Sequence, residues 1–154
     1  MATLGKAMGV SGAFVAGSEA LVETIIQSAR SYIFTTASPP AQAAAIMKSI
    51  QIIRTQGWRR EKLNELIAYF RQKANDLELE LMPSDTAIQP LIVGDNHKAL
   101  HISQKLFEHG IHVTAIRPPT VPENTARLRF TLSSAHEKQH VDQLFKQLSV
   151  ILTA

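Results

Sequence analysis

The sequence predicts an α/β protein whose C-terminal half forms a small domain with a mostly antiparallel sheet. Three observations lead to this prediction. Between residues 78 and 154, short strand patterns alternate with amphipathic helical patterns, and a loop with three prolines separates the last two strands. The residues before 78 have mainly helical patterns. Apolar residues make up 45% of the chain and charged residues 19%, which is ordinary for a globular protein.

The first half begins with a glycine-rich stretch and a single strand candidate. The run "GAFVAG", residues 12–17, is apolar and bounded by glycines, which indicates a buried strand. Ser18 is the predicted N-cap of the helix that follows, because apolar residues then recur at helical spacing. Ser38 and Pro39 are predicted as the N-cap and first residue of the next helix. That helix is nearly uncharged up to Lys48, so we expect it to be buried on most sides.

A third helix is predicted from Trp58 to Leu77, and its apolar face carries Leu63, Leu66, Ile67 and Phe70. The remaining elements are predicted strands at 87–93, 113–116 and 126–132 and helices at 98–109 and 135–152. The change in pattern near Glu78 predicts two domains, residues 1–77 and 78–154.

Composition and spacing argue against several classes of function. The net charge is +3 and the positive residues are scattered, so no nucleic-acid surface is predicted. The absence of cysteine excludes disulfides and thiolate metal sites. No apolar run approaches the length of a membrane span and the first residues lack a signal-peptide pattern, which favours a cytoplasmic protein. The pairs His97/His101 and His136/His140 have helical spacing but no evident third ligand, so we interpret them as exposed and predict no metal site.

The stretch "TLGKAMGVSGA" places a lysine, Lys6, among glycines near the first residue. A phosphate-binding loop of the Walker type requires Ser or Thr after Gly-Lys, and Ala7 excludes that interpretation. Two interpretations remain: a solvated lysine, or an amine held free to react with the carbonyl group of a planar cofactor that glycines allow to approach.

Four motifs decide between these interpretations through a family resemblance. They are "TLGKAMGVSGAFVAGSE", "FTTASPPAQAAA", "QPLIVGDNHKAL" and "VTAIRPPTVPENTARLRFTLSSAHE", and in this order they span essentially the whole chain. Together they resemble the α-oxoamine synthases, which are pyridoxal-phosphate enzymes of the aspartate-aminotransferase fold. The last two are most similar to the members that carry out the acyl-transferring step of biotin synthesis.

The resemblance implies roles for four residues. Lys6 would hold the cofactor covalently and act as the base that removes the substrate α-proton. Thr3 and Thr36 would contact the cofactor phosphate, Thr36 across a subunit boundary; the alternatives are a local turn hydrogen bond for Thr3 and helix capping at the segment of Thr36. Arg117 would hold the substrate carboxylate, for which a planar guanidinium is suited.

The same resemblance implies the activity, the partners and the extent of the chain. The family members most similar here condense L-alanine with a pimeloyl thioester, carried by coenzyme A or an acyl carrier protein, and act as homodimers. Their cofactor lysine lies well past the middle of the polypeptide. The sequence would therefore be a fragment: residues 1–77 as the end of the large domain with connecting helices, and 78–154 as the small domain. Other cofactor contacts would lie upstream, so we expect the chain alone to be inactive.

Two alternatives stay open. A glycine-using relative, of the 2-amino-3-ketobutyrate ligase or 5-aminolevulinate synthase type, would share the same lysine and the same fold. A non-catalytic chain that serves only in folding or dimerisation would share the sequence pattern without the reaction.

Overall fold

A computed structural model describes residues 1–153, and the chain divides into two compact units, Met1–Gly57 and Trp58–Ala154. The first unit contains a two-stranded antiparallel hairpin and two helices: β1 (Ala2–Thr3), β2 (Ala13–Phe14), α1 (Glu19–Ser28) and α2 (Pro40–Thr55). The second unit contains three helices and a three-stranded sheet: α3 (Trp58–Asp76), β3 (Ile88–Gly94), α4 (Asn96–Glu108), β4 (Thr114–Ile116), β5 (Ala126–Thr131) and α5 (Lys138–Thr153).

The helix starts of the first unit agree in part with the sequence. Ser18 caps α1 as predicted, because its Oγ accepts a hydrogen bond from the backbone N–H of Leu21 at 3.3 Å. The prediction of Ser38 as the N-cap of α2 is wrong. The helix starts one residue later, with Pro39 as its N-cap and Pro40 in its first turn, and its N-cap has no side-chain hydrogen bond. Either proline suits a helix start, since proline lacks the N–H that this position leaves unpaired.

The expected burial of the first unit is wrong for this chain. The strand predicted within residues 12–17 is only two residues long, and Phe14 is exposed. Neither α1 nor α2 has a buried residue, although both have apolar faces. In this unit Leu4, at 6% exposure, is the buried apolar residue. The patterns indicate the two helices, although β1 was not predicted, and the apolar faces of these helices do not bury each other.

The second unit confirms the predicted antiparallel sheet. Its strand order is β3-β5-β4 and both pairings are antiparallel. Along β5, the buried residues Ala126, Leu128 and Phe130 alternate with the more exposed Arg127 and Arg129, so one face of the sheet points to the core.

All three helices of the second unit contribute side chains to that core. Phe70 is fully buried at the centre of this core. The centroid of its ring lies 5.3 Å from that of Phe130 and 4.9 Å from that of Phe145. Aromatic contacts at these distances add to the free energy gained by burying their surface. The predicted apolar face of α3 is confirmed, since Leu66, Ile67 and Phe70 are buried and Leu63 packs against the cluster.

One polar side chain, Gln89 on β3, is completely buried in this unit. Its Nε2 donates to the carbonyls of Ser84 at 3.1 Å and Thr86 at 2.7 Å, and its Oε1 accepts from Arg71 at 2.8 Å. Both ends of the amide are therefore satisfied, as burial of a polar group requires. The network attaches the segment before β3 to helix α3.

By its contacts, α3 belongs to the same unit as the C-terminal elements. The predicted domains, 1–77 and 78–154, instead place α3 in the first domain. That predicted division concerns the domains of a whole enzyme and stays a prediction. Within residues 1–153, no helix is both long enough and apolar enough to cross a membrane.

Candidate functional site

Lys6 lies in the loop that joins β1 to β2. Three backbone hydrogen bonds close this loop: from Leu4 N–H to the Gly12 carbonyl at 2.8 Å, from Val10 to Leu4 at 3.1 Å, and from Gly9 to Lys6 at 2.9 Å. Gly9 and Gly12 have φ values of +65° and +124°, which glycine adopts without the steric cost that other residues incur. The glycines of the motif therefore have a local reason, because they allow a tight loop between two very short strands.

The Lys6 side chain is exposed and available for reaction. Within residues 1–153 its ammonium group takes part in none of the ion pairs or side-chain hydrogen bonds. Apart from Gly5 and its two chain neighbours, no described heavy atom lies within 4 Å of the position that a Cβ on Gly5 would take, so the backbone beside the lysine is open to a flat group. A primary amine next to open space, with the hydroxyl of Thr3 on the adjoining strand, fits a cofactor that carries an aldehyde and an anionic group.

Helix α2 holds this loop through two polar side chains. The Nε2 of Gln42 donates a hydrogen bond to the carbonyl of Ser11, and the Oγ of Ser49 donates to the carbonyl of Met8 at 2.8 Å. The sequence patterns do not identify either residue. Helix α2 has other polar side chains, among them Lys48, Gln51 and Thr55, so polarity alone does not distinguish Gln42 and Ser49.

The segment before α2 contains Thr36 in an exposed loop. The neighbouring Thr35 is occupied locally, since its hydroxyl donates to the Ser31 carbonyl at 2.8 Å and its N–H donates to the Tyr32 carbonyl at 3.0 Å. Within residues 1–153 Thr36 makes no hydrogen bond of this kind, so of the two threonines it has the hydroxyl free for a ligand. Phe34 is 98% exposed at the start of the same segment.

Arg117 follows β4 directly and is exposed at the start of the proline loop. The peptide bond between Pro118 and Pro119 is cis, and the Thr120 N–H donates to the Arg117 carbonyl at 3.0 Å, which makes a tight turn. Arg127, one of two arginines on the neighbouring strand β5, differs because its guanidinium donates to Thr125 and to the Met82 sulfur. Arg117 is therefore the better placed of the two to bind a carboxylate.

The structure thus brings three of the four predicted residues into one unit. Thr3 and Lys6 lie on the same hairpin and Thr36 lies in the loop before α2, all within Met1–Gly57. Arg117 belongs to the second unit. Their roles stay predictions.

The histidine pair at the start of α5 has a structural role. The Nδ1 atom of His136 accepts the Ser133 N–H at 3.1 Å, and that of His140 accepts the Glu137 N–H at 3.0 Å. Both rings therefore satisfy backbone donors at a helix start. In the part of the chain that the structure describes, no group of three or more His, Cys, Asp or Glu residues could hold a metal ion.

Comparison with known proteins places this geometry in a family. Residues 1–148 match the family described as aminotransferase class I and II. A protein named 8-amino-7-oxononanoate synthase, from Saccharophagus degradans, is 55% identical over 152 residues, which cover 99% of this chain and 38% of that protein. The chain spans between 37% and 40% of the length of curated relatives that it matches with similar identity.

Solved structures agree with the sequence match. That of 8-amino-7-oxononanoate synthase from Francisella tularensis gives a TM-score of 0.82 at 34% identity, covering 97% of this chain and 43% of that one. A structure of serine palmitoyltransferase (SPT) with pyridoxal phosphate (PLP) gives a TM-score of 0.87 at 25% identity, covering 99% of this chain and 40% of that one. These neighbours have the aspartate-aminotransferase fold, so the predicted fold class is confirmed.

Proposed function

Because this chain belongs to the aminotransferase class I and II family, we propose that it supplies the cofactor-lysine segment and the small domain of an 8-amino-7-oxononanoate synthase. The observation that carries the proposal is Lys6, an exposed amine without ion pairs in a glycine loop, in a chain 55% identical over 152 residues to a protein of that name. The proposed reaction joins L-alanine to a pimeloyl thioester. It releases carbon dioxide and the thiol and yields 8-amino-7-oxononanoate.

The proposed cofactor is pyridoxal phosphate. When bound, it supplies an aldehyde that captures an amino acid and a ring that accepts the electron pair released at the α-carbon. Lys6 would hold the cofactor through its Nζ, and as a free amine it would act as the base that takes the proton from the substrate α-carbon. The hydroxyl of Thr3 would donate a hydrogen bond to the cofactor phosphate, and that of Thr36 would donate one to the phosphate bound across the subunit boundary. Arg117 pairs with the substrate carboxylate through two parallel N–H groups and so fixes the orientation of the α-carbon.

The setting of the reaction is also a proposal. The thioester is carried by coenzyme A or an acyl carrier protein, and the enzyme acts as a cytoplasmic homodimer. Support for an assembly comes from the apolar side chains that α1 and α2 expose, among them Leu21, Val22, Ile26, Ile50 and Ile53. Exposed apolar area of this kind is typical of surfaces that are covered by other protein.

The 154-residue chain alone is proposed to be inactive. It spans 38% of the Saccharophagus relative, and the phosphate contacts proposed within residues 1–153 are the hydroxyls of two exposed threonines, Thr3 and Thr36. A cofactor held by so few groups stays in contact with water, which reverses its attachment to the lysine amine.

The test joins this chain to the remainder of the 8-amino-7-oxononanoate synthase from Saccharophagus degradans and supplies pyridoxal phosphate, alanine and pimeloyl-coenzyme A. The expected result is thiol release that Lys6→Ala abolishes and that Lys48→Ala, an exposed lysine bonded only along its own helix to Gln51, leaves intact. Thiol release with glycine but not alanine would favour a glycine-using relative. No thiol release with either amino acid, in a fusion that folds, would refute the proposed activity.

A further inference from the structure

The two hydrogen bonds from α2 to the lysine loop share one face of the helix. Gln42 and Ser49 are seven residues apart, which is about two helical turns, so their side chains point in the same direction. Each donates to a backbone carbonyl of the segment between Lys6 and Gly12: Gln42 to Ser11 and Ser49 to Met8. The loop is therefore attached to the helix at two points, three residues apart.

Other polar side chains of α2 behave differently. Lys48 donates to Gln51 at 3.1 Å, and the Thr55 hydroxyl donates to the Gln51 carbonyl at 2.8 Å, so both bond along the helix itself. Gln42 and Ser49 instead use their donors on another element. This contrast separates them from side chains that only solubilise or extend the helix.

Gly12 lies against the same Gln42 side chain. A Cβ at this position would lie 3.0 Å from the Nε2 of Gln42 and 3.5 Å from a methyl group of Leu4. A side chain at position 12 would therefore press on the Gln42 amide, and the backbone conformation of Gly12, φ +124°, favours glycine in any case. The glycine of the motif and the glutamine of the helix thus fit each other.

The loop has little else to hold it. Leu4 is its buried apolar side chain, and the strands on either side contain two residues each. Backbone hydrogen bonds close the loop upon itself, but they do not fix its position relative to the helix. Among the described contacts, that position depends on the bonds from Gln42 and Ser49.

We propose that Gln42 and Ser49 are positioning residues for Lys6: by holding the Met8 and Ser11 carbonyls, they fix where the lysine amine meets the cofactor aldehyde. The positioning role rests on the proposed function, because a fixed loop affects the chemistry only if Lys6 reacts with the cofactor. The attachment itself is a property of the loop and can be measured without any cofactor.

The experiment uses the fusion of the full chain with the remainder of the relative. Gln42→Glu keeps the size of the side chain but removes the donor, and Ser49→Ala removes the hydroxyl. The matched control is Gln51→Glu, the same substitution on the same helix, and Ser49→Thr restores a hydroxyl. The first readout is deuterium uptake of residues 3–12 without cofactor. We expect the Gln42→Glu and Ser49→Ala proteins to exchange about tenfold faster there, the effect of one lost hydrogen bond, and the control to be unchanged.

The second readout is the covalent attachment of pyridoxal phosphate to Lys6, trapped with borohydride, together with the pH midpoint of the visible absorbance of the attached cofactor. We expect both variants to slow attachment about tenfold and to move the midpoint, and Ser49→Thr to recover part of each. A merely structural loss would lower the amount of attached cofactor without moving the midpoint.

The outcomes separate the two proposals. If the unsubstituted fusion attaches no cofactor at Lys6, the proposed function fails, while unchanged uptake in both variants would still overturn the attachment of the loop. If cofactor attaches normally and the variants match Gln51→Glu in uptake, attachment rate or midpoint, the positioning role is refuted. Faster uptake, slower attachment and a moved midpoint, all absent from the control, support it.

Discussion

The two units of this chain have similar apolar sequence patterns and very different burial. In the second unit a cluster of buried side chains joins the sheet to α3, α4 and α5, and Phe70, Leu106, Leu128 and Leu148 are inaccessible to solvent. In the first unit Leu4 is buried, while the apolar faces of α1 and α2 are exposed. The unit that carries Lys6 is therefore the one without a core of its own.

The difference teaches that a helical pattern and a core are separate requirements. Periodic apolar residues are enough to predict where α1 and α2 lie, but a core forms only when such faces meet. The second unit meets this condition with residues from one contiguous stretch. The first unit does not, which agrees with a chain that spans 38% of its Saccharophagus relative.

The largest expected effect is a truncation at the centre of the core. Phe70→Ala should lower the free energy of unfolding of the second unit by about 3–5 kcal/mol, since it leaves a cavity between two other rings. The same substitution at Phe34, which is 98% exposed, should change it by no more than about 0.5 kcal/mol. Urea unfolding followed by circular dichroism measures both. Equal effects at the two phenylalanines would contradict the difference between the units.

A smaller effect is expected where a buried polar group loses its partner. Arg71→Ala should lower the free energy of unfolding by about 1–3 kcal/mol, because the Oε1 of the fully buried Gln89 would lose its donor. Gln72→Ala, the adjacent residue on α3, removes only an exposed bond to Asp76 and serves as the control. A double variant with Gln89→Leu should recover part of the loss, and no recovery would argue that Arg71 acts through other contacts.

The smallest expected effect is a loss of folding stability at acidic pH. The bond from Lys73, followed by that from Tyr69, lowers the pKa of Asp142, and the bond from Lys62 lowers the pKa of Glu137. These carboxyls bind protons less readily in the folded protein than in the unfolded chain. Their contribution to the free energy of unfolding is therefore complete above the ordinary pKa values of 3.8 and 4.5, and it disappears as the pH falls through the lower pKa values of the folded protein. The pairs are exposed, so the effect is small.

Unfolding midpoints measured from pH 6 to pH 2.5 check this dependence, with about half-unit steps around the unperturbed carboxyl pKa values. Lys73→Met should flatten the loss of stability below pH 4 by removing the cause of the lowered pKa of Asp142. An acid profile identical in the two proteins would show that the pair contributes nothing.

Much of the second unit could be predicted from the sequence, because its elements bury the faces that their patterns indicate. The strand at Ile88–Gly94 and the helix at Asn96–Glu108 were predicted to within two residues. The first unit was predicted less well. Ser38 was wrong as a cap because two prolines in succession offer two equivalent helix starts, and the burial of α2 was wrong because no local pattern states which surface is present to cover it.

The residues of the candidate site also differ in how far the sequence predicts them. Lys6 and Arg117 were identified through the family resemblance of their motifs, and the structure places both exposed, next to turns that glycine or proline permits. Gln42 and Ser49 were not identified, because their hydrogen bonds to Ser11 and Met8 span more than 30 residues of sequence. Contacts of that separation follow from how elements pack, and a pattern within one helix does not contain them.

We conclude that the core of this chain is confined to the second unit, whereas Lys6, the proposed cofactor lysine, belongs to the first. Amide hydrogen exchange on the full 154-residue chain tests this claim most directly, because protection reports local opening region by region. We expect strong protection in α3, β5 and α5 and rapid exchange in α1 and α2, which have no buried residues. Protection of α1 and α2 equal to that of α3 and α5 would contradict it.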